Sequence, residues 1–573
     1  MSEKFKVEKE LNIAGSLVLA SVLQQKYGVE LANISINENG CFVEFSTKQI
    51  ISSNDLQNIE IACYDLIDLA GKITVGSKNH LNKYEQYFSE HNTQPSNLYN
   101  VNGQNVYSFG YELKVPFDVK TIKVFKLLSI GGTKWLNDDH NETLVRINAI
   151  AFADKTEADA FMQYDKERKE RDHRKIGDDL KIFRLDPLAG QGLPLWLPRG
   201  FALKDALSKF INGVEFKYHF TPVSTPILGS VDLYKTSGHY AHYKDNMFPE
   251  ITLPDGESLV LRPMTCPHHV LVYRSFQPSY KDLPIRLSED SILHRYEASG
   301  GLTGLERVRT MDLADIHIFA RPDQIKSEIK RTYEMLKDIH SVLGIEFCSV
   351  DLSLHDPKDK AKFYDNPEMW KNAENQLREA LKELGVHYKE EIGEAAFYGP
   401  KIDFQAKSAL GHTVTVSTIQ LDFLLPERFK LTYKDKDNTE KRPIMIHVSA
   451  IGTYERFVAI LLEQTKGKLP LWLAPDQVVI IPIKPECMDY ALEVEKQLRE
   501  FDIRTTIDNS EERLSKKIHD AQTQKIPYQI VIGENEVKNK IITVRKYGEE
   551  ATKEMKVDEF ISMLQDNIKH HTK

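Results

Sequence analysis

Hydrophobic residues in the first 160 positions alternate between helical and strand spacing. The apolar run at 13–27 predicts a helix, whereas 41–46 and 144–154 predict strands. The stretch at 157–180 mixes Lys and Arg densely with Asp and Glu, which is typical of a solvated connecting helix. The pattern therefore predicts an α+β domain over residues 1–160 and a linker helix over 161–190.

Strands broken by proline dominate the next segment, residues 191–470. Apolar residues at helical spacing predict a helix at 201–214. The runs that look like parts of one antiparallel sheet are 258–264, 315–320, 413–425 and 444–450. The segment is therefore expected to form a domain with an antiparallel sheet and helices.

The last hundred residues, 474–573, alternate strand and helix patterns. The predicted strands are 477–483, 503–508, 528–533 and 541–547, and the predicted helices are 488–501 and 511–522. Such alternation is typical of α/β domains. We therefore predict a compact C-terminal α/β domain with a largely parallel sheet, at the end of an α+β multidomain chain.

Composition limits the partners and the compartment. With 75 Lys and Arg against 84 Asp and Glu, the net charge is −9, so a nucleic acid would have to be held by local patches. The five cysteines are too sparse, and odd in number, for a disulfide framework, which indicates a reducing, cytoplasmic compartment. The apolar run at 13–23 is too short to span a bilayer, so no membrane association is predicted.

One candidate site lies in the segment MTCPHHVLVYRSF, residues 264–276. Cys266 stands two residues before the pair His268 and His269. It is either a buried small hydrophobic residue, as most free cysteines are, or a metal ligand. The rest of the chain has to decide between these interpretations.

A second candidate site surrounds a glycine-rich loop at 292–319. The segment contains, in order, Arg295–x–Glu297, the loop, Arg307–x–Arg309 and Asp315–x–His317. Guanidinium groups bind phosphates and carboxylates through paired hydrogen bonds, which suits them to a nucleotide. Gly452, four residues before Arg456 at the start of a helical run, is a further pattern suited to phosphate. Each pattern is weak alone, because charged, glycine-rich loops are usually turns.

Taken together, these segments resemble class II aminoacyl-tRNA synthetases. The segment 220–228 around Pro226, the Arg295 loop and the Gly452 helix resemble motifs 1, 2 and 3 of that class. The chain is similar in particular to threonyl-tRNA synthetases, over 234–248, 262–270, 279–289, 395–404, 418–429 and 445–457. The resemblance runs from about residue 166 to the end.

The resemblance implies the activity and the partners. It implies a class II catalytic domain over 191–470 and an anticodon-binding domain over 474–573. The reaction would be ATP-dependent ligation of L-threonine to tRNA(Thr) through threonyl-adenylate, with Mg²⁺ accompanying ATP. A homodimer would form through the motif 1 helix and strand at 201–228, and one Zn²⁺ would be bound per subunit.

The resemblance also implies that Cys266, His317 and His447 hold the zinc. Three N or S ligands and one open position are typical of a working zinc site. The amino group and hydroxyl of threonine would bind the metal, whereas valine lacks the hydroxyl; a hydrophobic pocket alone separates such isosteres only ~10²-fold. His268 and His269 are expected to be structural, although His269 matches a family histidine.

The resemblance assigns further roles position by position. For ATP, Arg295 and Arg307 would hold the α-phosphate and the amino-acid carboxylate, Arg456 would hold the γ-phosphate, and Glu297 would lie on the adenine side. For threonine, Asp315 would accept the hydroxyl, Tyr398 would face the amino group, and Lys401 and Gln420 would line the pocket. For tRNA, His239 would assist transfer, and Arg545 and Glu536 would read anticodon bases. Four positions depart from the family: Met311, Leu313, Thr415 and Glu511.

The first 160 residues resemble an editing domain that has lost its chemistry. In the family, a His–x3–His helix and a Cys–x3–His pair hydrolyse Ser-tRNA(Thr). Apolar or aromatic residues fall at those four positions here: Ile13, Leu17, Tyr111 and Val115. No His precedes His80, and no Cys lies between Cys63 and Cys266. We therefore expect loss of post-transfer editing and survival of the domain as a support for packing and the tRNA acceptor arm.

Two alternatives remain. One is a synthetase of another specificity, such as seryl, prolyl or histidyl, against which the Cys266, His317 and His447 set argues. The other is a synthetase-like tRNA-binding module without catalysis, against which Arg295, Arg307 and Arg456 argue.

Overall fold

The structure is a computed structural model that describes residues 7–37, 40–77, 81–91, 96–138, 141–409 and 411–572. The chain folds into two compact units, Met1–Arg168 and Lys169–Lys573. Within the described residues, none of the helices is long and apolar enough to cross a membrane. The segment predicted as one linker helix contains two helices, Lys155–Arg171 and His173–Asp179, and Asp172 caps the second through the backbone N–H of Arg174.

The N-terminal unit is an α+β fold around one buried helix. Lys9–Tyr27 is buried on all sides from Leu11 to Leu23, and it ends at Gly28, whose φ of +59° favours glycine. One antiparallel sheet has the order Glu30–Asn37, Gly40–Ser46, Thr143–Phe152, Val124–Lys134. The other has the order Gln104–Phe109, Ser96–Val101, Lys72–Val75, Phe117–Asp118. The remaining α-helices are Leu56–Ala70 and Lys83–His91.

An eight-stranded sheet forms the centre of the second unit. Its order is Thr221–Pro222, Ile285–His294, Thr310–Ala320, Ile444–Thr453, Thr413–Asp422, Lys401–Lys407, Phe347–Leu354, Lys389–Ile392. Only the two edge strands pair in parallel, so the predicted antiparallel sheet is confirmed. The prediction that 258–264 joins this sheet is wrong, because Ser258–Leu261 lies between Leu228–Ser230 and Ile251–Thr252 in a separate sheet.

Alternation along the strands separates an apolar face from a polar one. Ile316 and Ile318 on one strand and Ile446 and Val448 on the next belong to the main hydrophobic core. The helices that contribute to this core are His173–Asp179, Pro198–Lys217, Ile325–Leu343, Pro367–Glu383 and Tyr454–Thr465. Shorter helices are Val231–Ser237, His239–Tyr243, Cys266–Phe276 and Leu424–Arg428. The helices pack against the apolar face of the sheet, and polar residues lie on the other face.

The C-terminal part of this unit carries a five-stranded mixed sheet. Its order is Thr505–Ile507, Val478–Pro482, Tyr528–Ile532, Ile542–Lys546, Thr552–Met555. The helices are Met488–Glu500, Leu514–Thr523, Glu534–Asn539 and Val557–Lys569. The first three strands are parallel, but the last two are antiparallel. The prediction of a largely parallel sheet is therefore correct only for the first half.

Candidate active site

Two rows of polar side chains cross the eight-stranded sheet. In one row the residues opposite each other on successive strands are His317, His447, Gln420 and Lys401. In the other they are Glu289, Asp315, Ser449, Thr418 and Asp403. The rows are two residues apart along each strand, so both lie on one face of the sheet. Strand register therefore gathers side chains that are far apart in the chain.

A cavity of about 300 Å³ opens over these rows. The predicted site residues that line it are Cys266, Arg295, Asp315, His317, Tyr398, Gln420, His447 and Arg456. Leu313 and Thr415, two of the family departures, also line it. Lys401 does not: its ammonium group pairs with Asp403 in the neighbouring row. Most of the predicted residues are thus brought together, and Lys401 is placed beside them.

Cys266, His317 and His447 converge at the base of the cavity. One ligand atom from each lies within 4.8 Å of the other two, and all three residues are buried. His317 Nε2 is 3.0 Å from His447 Nδ1. Cys266 arrives from the first turn of the helix Cys266–Phe276, and its Sγ is 3.7 Å from Nε2 of His239.

The donor set of this cluster fits a soft divalent metal. Burial lowers the pKa of His317 well below its ordinary value, so the imidazole is neutral and can offer a lone pair. Burial raises the pKa of the Cys266 thiol, and a bound cation is what would favour its thiolate. One sulfur and two imidazole nitrogens are ligands that Zn²⁺ prefers.

One buried carboxylate contacts His447 directly, and a second reaches His317 through His269. His447 Nε2 is 2.9 Å from Asp422 Oδ2. His317 Nδ1 is 2.8 Å from His269 Nδ1, and His269 Nε2 is 3.1 Å from Glu289 Oε2. Sequence reasoning missed Asp422 and Glu289 as site residues. Asp422 lies between Leu421 and Phe423, and an acidic residue with apolar neighbours is a signal of a buried charge, whereas Glu289 lies between Ser288 and Asp290 and gives no such signal.

Asp315 and Tyr398 line the same cavity as the cluster. Asp315 Oδ1 is 3.8 Å from His317 Nε2, and burial raises the pKa of this carboxyl group. The Tyr398 hydroxyl donates a hydrogen bond of 3.2 Å to Gln420 Oε1. Burial raises the pKa of Tyr398, which keeps the phenol neutral and able to donate. The cavity therefore presents both an oxygen acceptor and a fixed hydroxyl next to the cluster.

Of the three arginines predicted to bind ATP, Arg295 and Arg456 line the cavity and Arg307 does not. Arg295 donates from Nε to Pro263 O at 3.3 Å, and Arg456 donates from Nε to Glu306 O at 3.1 Å. Arg307 is half exposed and pairs with Glu297, whose Oε2 lies 2.8 Å from Nε. Two guanidinium groups thus reach the cavity, while Arg307 and Glu297 neutralise each other beside it.

His239 is fully buried behind Cys266. Its Nδ1 is 2.8 Å from Ser237 Oγ, and burial, followed by nearby positive groups, lowers its pKa to about 3. The side chain is therefore a neutral imidazole at physiological pH.

The two predicted anticodon-reading residues lie on the C-terminal sheet and its helix. Glu536 Oε2 accepts the backbone N–H of Gly533 at 2.8 Å, and Oε1 accepts the hydroxyl of Thr543 at 2.8 Å. Arg545 donates from Nε to Glu549 O at 3.0 Å. Glu536 thus has a local structural role at the start of the helix Glu534–Asn539, which the sequence did not indicate.

Comparison with known families identifies the class of this fold and site. Residues 250–465 match the family model described as tRNA synthetase class II core domain (G, H, P, S and T). Residues 477–567 match the model described as anticodon binding domain. The mostly antiparallel sheet and these two matches define a class II aminoacyl-tRNA synthetase.

Individual relatives narrow the class. The chain is 49% identical to the threonine–tRNA ligase of Ureaplasma parvum serovar 3, over 99% of each chain. It is 45% identical to that of Mycoplasmoides gallisepticum, over 96% of this chain and 99% of the relative. A solved structure of the RNA binding domain of threonyl-tRNA synthetase from Cryptosporidium parvum Iowa II is 39% identical, with a TM-score of 0.66 over 69% of this chain and 98% of that one. The chain belongs to the threonine–tRNA ligase family, and the predicted resemblance is confirmed.

Proposed function

We propose that this threonine–tRNA ligase selects threonine through a Zn²⁺ held by Cys266, His317 and His447. The convergence of these three side chains at the base of one cavity is the observation that carries the proposal. When bound, the metal would supply a Lewis acid with an open position for the amino group and hydroxyl of threonine. The pairing of an amino alcohol with such a metal separates threonine from valine.

The protein side chains orient the substrates around this position. Asp315 accepts the threonine hydroxyl, and the Tyr398 hydroxyl, held by Gln420, faces the amino group. Arg295 and Arg456 reach the same cavity and neutralise the charge of the ATP phosphates as adenylate forms, together with Mg²⁺. Arg307 exchanges its partner Glu297 for the α-phosphate, and Glu297 then turns to the adenine side.

His239 and the C-terminal domain serve the second step. His239 is fully buried with a pKa of about 3, so it is not the base of this step; it would assist transfer to tRNA by holding Cys266 in place from behind. Arg545 and Glu536 lie in the segment that matches the anticodon-binding model, and they contact anticodon bases through hydrogen bonds.

The N-terminal unit does not edit in this proposal. Ile13 and Leu17 belong to the buried core of that unit, and Tyr111 and Val115 pack against the same core. The Tyr111 hydroxyl donates to Ile36 O at 3.3 Å, which occupies its polar atom. Hydrolysis needs groups that bind and activate water, and apolar packing at these four positions provides none. Rapid deacylation of purified Ser-tRNA(Thr) above the buffer rate would overturn this part.

We further propose a homodimer in the cytoplasm. Large apolar residues are exposed on the motif 1 helix Pro198–Lys217, where Phe201 is 60% and Phe216 76% accessible. Leu228 and Ile292, from the adjoining strand segments, are also exposed. Large apolar side chains exposed in the segment that resembles motif 1 support an interface there. Sedimentation equilibrium should give twice the chain mass, and a monomer at micromolar concentration would contradict the dimer.

Pyrophosphate exchange, together with metal analysis, separates this function from the alternatives. Pyrophosphate exchange should depend on threonine, and metal analysis should find about one zinc per chain. Exchange driven by serine or proline instead of threonine would indicate another specificity. The absence of exchange with tRNA binding retained would indicate a binding module.

A further inference from the structure

A line of four buried residues leads from the sheet edge to the candidate metal ligand His317. Arg262, 2% exposed, donates from one terminal nitrogen to Glu289 Oε1 at 2.9 Å. Glu289 Oε2 lies 3.1 Å from His269 Nε2, and His269 Nδ1 lies 2.8 Å from His317 Nδ1. Hydrogen-bond distances therefore connect the four residues in order, and the last one belongs to the metal cluster.

Glu289 is held as a carboxylate by its own partners. Besides Arg262, the hydroxyl of Thr225 donates to Oε2 at 2.8 Å, so Glu289 accepts from every neighbour. An ionised carboxylate can only accept hydrogen bonds, so the proton between it and His269 resides on Nε2 of the histidine.

The position of this proton determines the next one. With the Nε2–H of His269 directed at Glu289, Nδ1 of His269 is the atom that can accept from Nδ1–H of His317, 2.8 Å away, and a His317 that offers its other nitrogen to a metal carries its proton there. His317 then has its lone pair on Nε2, the nitrogen that faces His447 at 3.0 Å. The line therefore selects one tautomer of His317.

On the opposite side of the cluster, a carboxylate likewise determines which nitrogen of His447 carries the proton. Asp422 Oδ1 accepts the backbone N–H groups of Leu424 and Leu425 at 2.8 and 2.9 Å. Its Oδ2 therefore accepts from Nε2–H of His447, and this leaves the lone pair of His447 on Nδ1. Two lone pairs face each other at 3.0 Å without a proton between them, an arrangement that a cation stabilises.

We infer that Glu289 and His269 are positioning residues that fix His317 as an Nε2 metal donor. The inference rests on the proposed zinc site and deepens it, because it explains why a histidine expected to be structural lies against a ligand. Hydrogen-bonded partners of metal-bound histidines orient the ring and raise its basicity, and their loss typically weakens metal binding 10–100-fold. Here the partner is another imidazole, and the carboxylate acts through it.

The chain offers variants that separate tautomer control from packing. His269→Leu removes the acceptor for His317, whereas His269→Asn retains an oxygen acceptor near the position of Nδ1. Glu289→Gln is nearly isosteric, but Arg262 attracts the amide oxygen and turns the amide N–H groups toward His269. This reverses both tautomers and places a proton on His317 Nε2. The matched control is His268→Leu, since His268 is also buried and among the described residues nothing hydrogen-bonds its Nδ1.

The test measures metal affinity as well as activity in the full-length protein. Zinc affinity is determined by competition with a chromophoric chelator, the ligand field by the visible spectrum of the Co²⁺ form, and folding by circular dichroism. We expect His269→Leu and Glu289→Gln to bind zinc about 10–100-fold more weakly. The KM for threonine should rise while the KM for ATP stays constant, His269→Asn should recover much of the affinity, and His268→Leu should match the unsubstituted protein.

The outcomes distinguish this inference from the proposed function. If the unsubstituted protein binds zinc and charges threonine, but folded Glu289→Gln keeps its zinc affinity and Co²⁺ spectrum, the inference is wrong and the function stands. Equal losses in His268→Leu and His269→Asn would also overturn it, because general packing would then explain them. An unsubstituted protein that binds no zinc would overturn the zinc site and the inference together.

Discussion

The carboxylate of Asp422 joins His447 to the start of a helix. Its Oδ2 is 2.9 Å from His447 Nε2, while Oδ1 accepts two backbone N–H groups where the helix Leu424–Arg428 begins. One residue thus orients a candidate ligand and satisfies a helix terminus, and substitutions can separate these roles.

Asp422→Asn should weaken zinc binding with little change in stability. Asn retains an oxygen for the helix N–H groups, but its neutral amide no longer requires the proton to be on His447 Nε2, so zinc affinity should fall about 10–100-fold. Asp422→Ala should in addition lose about 1 kcal/mol in free energy of unfolding, as is typical when a helix start loses its acceptor. Chelator competition and urea unfolding measure the two effects. Identical unfolding of Asn and Ala variants would contradict the division.

Cys266→Ala should remove the metal and impair amino-acid choice. The remaining pocket has only shape and hydrogen bonds, so the ratio of kcat/KM for threonine over valine in pyrophosphate exchange should fall to ~10² or less. Cys348→Ala is the control, because Cys348 is an exposed cysteine distant in sequence from the site residues. Unchanged discrimination in Cys266→Ala, with the protein free of zinc, would refute metal-based selection.

Stability should fall as the pH decreases below 6.5, partly through His340. This buried side chain contacts Ser417 Oγ at 2.6 Å, and burial lowers its pKa from 6.5 to about 4. Between these values the unfolded chain binds a proton that the folded protein does not, so the free energy of unfolding decreases by at most about 1.4 kcal/mol per pH unit from this residue. Urea unfolding across this window should show a weaker dependence in His340→Gln. Parallel curves for both proteins would rule the effect out.

Substitution of Leu17 should unfold the N-terminal unit more readily without creating an editing site. Leu17 is completely buried, and its replacement by Ala should cost about 2–5 kcal/mol in free energy of unfolding. Leu17→His should be at least as harmful, since a polar ring would lack a partner in this core. Neither variant should deacylate Ser-tRNA(Thr), and hydrolysis gained by Leu17→His would show that the domain retains a latent site.

Glu536 and Arg545 should respond differently to replacement by alanine. Glu536→Ala removes acceptors for Gly533 and Thr543, so it should lower stability by about 1 kcal/mol as well as weaken tRNA binding. Arg545→Ala should raise the KM for tRNA and leave thermal unfolding nearly unchanged. Adenylate formation, which needs no tRNA, should be normal in both. A Glu536→Ala protein of unchanged stability would disprove its local role.

Much of the catalytic sheet could be predicted because its strands have a strict alternation. The runs around His317 and His447 alternate polar and apolar residues, which predicts strands with one chemical face. The same reasoning failed for 258–264, since a short strand pattern does not reveal which sheet it joins. It also failed for Ile542–Lys546, which follows a helix of only six residues, Glu534–Asn539, and pairs antiparallel to its neighbour, and it did not predict the last strand, Thr552–Met555.

The details of the site depended on side-chain partners that spacing does not reveal. The sequence places Arg307 and Glu297 on either side of a loop, but their ion pair requires the loop to fold back. It places Lys401 near the pocket, but the charge of Asp403, two residues along the strand, draws the ammonium group away. Contacts between side chains distant in the chain, such as that of His269 with His317, become visible only in the folded structure.

Because His317 and His447 lie opposite each other on neighbouring strands, the site forms only when these strands pair in the correct register. A slip of one residue between the two strands would bring Ile446 or Val448 to the position of His447. The imidazole of His447 would then point into the hydrophobic core between the sheet and the helices. A mispaired copy would thus lose its catalytic competence together with its stability.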